Sequence, residues 1–105
     1  LITPDGVVFV DWPHACTGAA WFDVLAFAPS VALQGGPDLD WLLARCPSAA
    51  GADPDALTAV TVAVAGYFTR QATLPPPPGL PTVREFQAAQ GCHARDWLRQ
   101  RTGLR

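Results

Sequence analysis

A mainly helical α+β fold, with an N-terminal β-hairpin followed by about four helices, is what this 105-residue sequence predicts. Three observations lead there. Apolar runs flank Pro4-Asp5-Gly6, where Pro presets the first turn angle and Gly accepts positive φ. Asp53-Pro54 reads as an N-cap followed by proline at the first helical position, where the missing N–H has no helical partner to lose. Thr82-Val83-Arg84-Glu85 has the spacing of a capping box, in which hydroxyl and carboxylate satisfy reciprocal backbone donors.

The elements follow in chain order. Leu1 to Thr3 and Val7 to Val10 are the hairpin strands. Val7, Val8, Phe9 and Val10 do not alternate with polar residues, so this strand is expected to be covered on both faces. A helix is predicted from Ala19 to about Leu33, with Trp21, Val24, Leu25 and Ala28 on neighbouring positions and Gly35-Gly36 as its stop. Pro29 lies inside it, which predicts a kink or break near Phe27. The next helix, about Asp38 to Arg45, is acidic at its start and basic at its end, as the helix dipole favours.

From Pro54 to about Ala72, Leu57, Val60, Val64 and Phe68 make an apolar stripe, while Ala59, Ala63 and Gly66 make a small-residue back face. The two faces together predict a helix packed on both sides, at the centre of the bundle. Pro75 to Pro78 is a stiff extended spacer. The closing helix runs to about Thr102 and stops at Gly103, with Val83, Phe86, Gln90, His93, Ala94 and Trp97 on one face and Arg84, Arg95 and Arg99 facing away. The chain thus divides into a hairpin and loop (1–18), a helical core (19–74), a proline spacer (75–81) and a closing helix (82–105).

Composition removes several classes of function. A formal net charge of −2 offers no clustered positive charge for nucleic acid or an anionic membrane. The longest apolar tract, near Ala63 to Phe68, is interrupted by Thr and Gly before it reaches spanning length. The start lacks a basic region, a long apolar core and a cleavage site, so it is not a signal peptide, and a cytoplasmic setting is expected. Cys16, Cys46 and Cys92 are widely spaced without a CxxC pair, the usage of reduced thiols and not of a disulfide framework.

Asp11 is the most informative acid. The end of a buried strand, just before Trp12-Pro13, would aim its carboxylate in a fixed direction. Metal-phosphate chemistry uses that arrangement, because Mg²⁺ takes one or two protein carboxylates and completes its octahedron with waters and phosphate oxygens. The structural alternative is an acid that merely ends a strand and bonds backbone amides. Asp23, among Trp21, Phe22 and Leu25, would be costly if buried alone, so it is expected to organise a neighbouring loop through backbone amides.

These residues carry a resemblance. "VVFVDWPHACTGAAWFDVLAF", residues 7–27, resembles the segment after the catalytic loop in aminoglycoside phosphotransferases and related small-molecule kinases: an apolar strand ending in Asp-Trp, then a Gly, then an Asp before Leu-Ala. Here these are Asp11-Trp12, Gly18 and Asp23-Val24-Leu25-Ala26, and "GLPTVREFQAAQGCHARDWLRQRTG", residues 79–103, is similar to the family's closing helix. The resemblance implies the C-terminal part of the large lobe of a protein-kinase-like fold. Asp11 would be the acid that binds Mg²⁺ and, through it, ATP, and Asp23 the structural acid. The partners would be a small-molecule hydroxyl substrate and the remainder of the large lobe and the N-lobe. Pro13 and Ala19 depart from the family, which often has acids there.

Phosphoryl transfer also needs a nucleotide-gripping Lys, and a catalytic Asp and metal-binding Asn in an HxDxxxxN loop. This sequence has no Lys, no Asn and no such loop, which in the family lies just before this hairpin strand. The expectation is a fragment that does not catalyse alone; the alternative is a non-catalytic helical module that binds a ligand or partner. His14 and Cys16, with Cys92 and His93, make a poor zinc set because a site needs three or four converging ligands. His93 reads as a hydrogen-bonded core residue. Asp38, Asp40, Asp53 and Asp55 could form a wall attracting a polycation such as an aminoglycoside, but each suits a helix start, and that reading is preferred.

Overall fold

A computed structural model describes residues 1–11 and 15–103. Trp12, Pro13 and His14, and with them one candidate zinc ligand, lie outside the described residues, as do Leu104 and Arg105. The order is β1 (Ile2–Thr3), β2 (Gly6–Val7), α1 (Phe22–Leu33), α2 (Leu39–Arg45), a 3₁₀ turn at Pro47–Ala49, α3 (Pro54–Ala72) and α4 (Val83–Thr102). The mainly helical class with an N-terminal antiparallel hairpin is therefore observed, with Ile2 opposite Val7 and Thr3 opposite Gly6.

Local chemistry explains the helix ends. Asp38 caps α2 by accepting from the Trp41 N–H at 2.8 Å, and Asp53 caps α3 by accepting from the Asp55 N–H at 3.1 Å. α1 closes on Gly35 at φ +79°, with the Gly35 N–H donating to Ala32 O and the Gly36 N–H to Val31 O, the paired bonds of a Schellman stop. Pro29 does not break α1. Its missing N–H removes one bond, but Leu25, Ala28, Pro29 and Ser30 form the buried face, and that burial holds the helix together. The expected capping box at α4 does not form: Thr82 has helical angles (φ −95°, ψ −3°), which keep its hydroxyl from the first-turn amides.

The core gathers Leu25, Ala28, Leu39, Leu57 and Trp97, flanked by Trp21, Leu42, Leu43, Val60 and Val64. α3 and α4 form the most extensive contact, and α1 packs on both and on α2. Leu57, Thr61 and Ala65 are the buried residues of α3, whereas Ala59, Ala63 and Gly66 are exposed. The prediction that α3 is covered on both sides is thus corrected: small residues permit close approach, but no described element comes to that face.

Arginines fasten α4 to α3, against the expectation that Arg84 and Arg95 face away. Arg84 donates to Pro75 O at 3.1 Å and to Gln71 Oε1 at 2.7 Å. Arg95 donates to Thr69 Oγ1 at 2.7 Å, and Arg101 to Thr58 Oγ1 at 2.7 Å and Pro54 O at 3.1 Å. Long stems lie along the helix and the guanidinium reaches over, which a wheel of Cα positions does not register. Arg99 does face outward, paired with Asp96 at 2.6 Å.

Candidate functional site

The hairpin positions Asp11. Its turn is fastened by the Thr3 hydroxyl donating to Gly6 O at 3.0 Å. The ladder extends one step beyond the short strands, since the Leu1 amine and the Val8 N–H each donate to the other residue's carbonyl. The chain stays uncovered through Val10: Val7, Val8, Phe9 and Val10 are 68, 48, 77 and 51 % exposed. The expected cover on both faces is absent among the described residues: the four helices bury their apolar stripes against one another, and none of their main contacts is with the hairpin.

Asp11 has φ +68°, and is the one non-glycine with positive φ among the described residues. Asp and Asn visit that region more readily than other side chains, so the residue type suits the bend that ends the extended run. Its carboxylate is exposed and makes no hydrogen bond among the described residues, including none to a backbone amide. Such a group fits the limited demand Mg²⁺ makes on protein, one or two carboxylates with the other positions left to water and phosphate.

Asp23 lies in the first turn of α1, where a negative charge complements the helix dipole. Half-buried Trp21 and buried Leu25 turn inward while Phe22 and Asp23 face outward. Its carboxylate therefore stays hydrated, the desolvation that would demand a partner does not arise, and no loop amide bonds it among the described residues. Asp38 and Asp53 are occupied as caps, and Asp40 accepts from the Trp97 indole N–H at 3.3 Å.

His93 is exposed, contrary to its expected core role. Gln90, one turn earlier, holds the buried polar position and donates to the Ser30 hydroxyl at 2.6 Å. No group of three or more His, Cys, Asp or Glu side chains could hold a metal among the described residues, and Cys16, Cys46 and Cys92 are free thiols. An open depression of about 430 Å³ lies beside α2, lined by Leu43, Arg45, Cys46, Pro47 and Ala50 among others, and includes neither Asp11 nor Asp23. There the Ser48 hydroxyl, 2.9 Å from Cys46 Sγ, and the Ser48 and Ala49 amides hold the thiol below its usual pKa against a smaller opposing effect of burial. The sequence signal for this group was Cys46-Pro47-Ser48, a helix stop followed by a serine turn.

Against known proteins, the chain matches no family model, no curated protein and no solved structure.

Proposed function

We propose that this chain is part of a small-molecule kinase that transfers the γ-phosphoryl group of ATP to a substrate hydroxyl, with Asp11 contributing a carboxylate to Mg²⁺ and the chain forming the C-terminal part of a protein-kinase-like large lobe. The observation that carries the reading is Asp11 itself: an exposed carboxylate, without a partner among the described residues, on a left-handed bend at the end of an apolar extended run, within a segment resembling the corresponding part of aminoglycoside phosphotransferases. Bound Mg²⁺ would neutralise charge on the phosphate oxygens. Asp11 would hold one side of that ion, and Asp23, exposed in the first turn of α1, would act as the structural acid by bonding backbone amides from outside the described residues. The reading requires the nucleotide-gripping cation and the catalytic loop from outside these 105 residues, since the chain has no Lys and no Asn.

Paramagnetic broadening by Mn²⁺ tests the ligand directly in this chain. Amide resonances around Asp11 should broaden first, and Asp11→Asn, which keeps a side chain tolerant of the bend, should abolish the effect. Broadening confined to Asp38, Asp40, Asp53 and Asp55 would remove Asp11 from its role. In a protein that also carries the catalytic loop, Asp11→Asn should lower Mg²⁺-dependent turnover by about two orders of magnitude, the scale of losing one charge-stabilising group at a reacting centre.

A non-catalytic module that binds a ligand or partner is the second reading, favoured by the open apolar hairpin, a surface suited to association more than to chemistry. It predicts no nucleotide binding even when the catalytic-loop segment is supplied.

A further inference from the structure

The connection between α3 and α4 holds four consecutive prolines, Pro75 to Pro78, and is longer than its span requires. The two helices run antiparallel, since Arg84, Arg95 and Arg101 reach Gln71, Thr69 and Thr58 in turn. Their facing ends already meet where Arg84 donates to Gln71 Oε1 at 2.7 Å. Such a connection ordinarily takes about two to eight residues, whereas this one extends from 73 to 82. Closing the helix pair therefore does not explain the proline run.

Each proline restricts its own φ and holds the residue before it extended, so Leu74 to Pro77 take polyproline II geometry. The run ends in a type II turn: Pro78 and Gly79 are its central residues, Gly79 has φ +81°, and the Leu80 N–H donates to Pro77 O at 3.1 Å. At its start Arg84 Nε donates to Pro75 O, also at 3.1 Å. Polyproline II has three residues per turn, and burial follows that period: Leu74 and Pro77 are half-buried, while Pro75, Pro76 and Pro78 are exposed. One edge of this three-sided helix thus turns toward the body of the protein and two stand free, with Pro75 and Pro78 aligned along one of them. The Pro76 carbonyl accepts no hydrogen bond among the described residues.

We propose that Pro75 to Pro78 is a docking segment for a protein domain of the SH3, WW or EVH1 kind, whose groove is lined by aromatic side chains and here carries acidic residues at its rim. Such grooves take polyproline II helices, whose rings pack between the aromatic side chains. An indole N–H or a tyrosine O–H of the groove is the donor that the free Pro76 carbonyl matches. Residue chemistry specifies this occupant: the four prolines offer carbonyl acceptors and no N–H, so a partner strand cannot extend a ladder along them. The nearest charged residues in sequence on either side, Arg70 and Arg84, are both cations, and Arg70 is exposed, which suits an acidic rim. Because the turn at Gly79 and the Arg84 bond already order the segment, docking costs little chain entropy. The docking is independent of the phosphoryl-transfer reading.

Titration of the isotope-labelled 105-residue chain with a purified SH3, WW and EVH1 domain, each in turn, tests this by amide chemical shift. At least one domain should move the amides of Leu74, Gly79 and Leu80, which flank the prolines, and leave those of the hairpin and α1 in place. Pro75→Ala combined with Pro78→Ala removes the aligned edge and should weaken that binding about tenfold or more, with helical circular dichroism unchanged. Phe27→Ala, which removes an apolar side chain 63 % exposed on α1, should bind like the parent chain. No shift with any of the three domains, shifts centred on the hairpin or α1, or binding indifferent to the paired proline substitution would overturn the proposal.

Discussion

The Gln90 side-chain amide donates to the Ser30 hydroxyl across 2.6 Å, joining α4 to α1 between residues sixty positions apart. Both residues are buried, and no buried side-chain nitrogen or oxygen lacks a partner among the described residues. Gln90→Ala leaves the hydroxyl without this partner and should cost about 1–3 kcal/mol, whereas Ser30→Ala with Gln90→Leu removes both polar groups and should come close to neutral. A double-mutant cycle in urea measures the difference; single and double changes that simply add would show no coupling.

Trp97 is the largest side chain in the core, 8 % exposed, with its indole N–H directed at Asp40. Trp97→Ala should destabilise by about 3–5 kcal/mol through the cavity it leaves. Asp40→Ala should cost about 1 kcal/mol, because the bond is long at 3.3 Å and lies where water can replace the acceptor. Equal losses in chemical denaturation would mean that the hydrogen bond, and not the packing, is what Trp97 supplies.

Two glycines should respond in opposite directions. A Cβ on Gly36 would meet Val31 O at 2.9 Å, within the turn that closes α1, so Gly36→Ala must displace backbone and should lower the thermal midpoint. Gly66 lies inside α3 with open space where a Cβ would go, and Gly66→Ala should stabilise by about 0.5–1 kcal/mol through the entropy of the unfolded chain. Calorimetry of the pair checks both signs.

Cys46 should be alkylated more readily than an ordinary thiol of the same exposure in the pH range just below the ordinary thiol pKa, because the Ser48 hydroxyl favours its thiolate. Since the folded-state pKa is depressed, the associated stabilisation is present above the unfolded-state pKa and is lost as pH falls through the folded-state value. Ser48→Ala should raise the pKa and slow iodoacetamide labelling of Cys46 severalfold at mildly alkaline pH. Peptide mapping of the labelled chain distinguishes Cys46 from Cys16 and Cys92, and unchanged labelling would assign no influence to the hydroxyl.

Helix ends were the most legible part of the sequence. Asp53-Pro54 and Gly103 bound α3 at its start and α4 at its end as read, because caps and stops are local chemistry between residues a few positions apart. Burial was less legible. The runs Val7 to Val10 and Ala59, Ala63, Gly66 state that a face can be covered, but cover depends on a neighbour, and periodicity carries no information about neighbours. Thr82 shows the same limit in a cap: the right residues at the right spacing do not close a box when the preceding turn gives the Thr helical angles. At the candidate site, the sequence marked Asp11 and the end of its extended run; the positive φ and the solvent around it came only with three-dimensional structure.

The arginine crosslinks between α3 and α4 act as a ruler. They join Arg84 to Gln71, Arg95 to Thr69, and Arg101 to Thr58 along most of the length of the pair. A slip of one helical turn, about 5.4 Å, would break all three together instead of trading one for the next. Under mechanical load the two helices should therefore resist shear and separate by peeling from an end, so that pulling at the proline-rich connection and pulling along the helix axes should give different rupture forces.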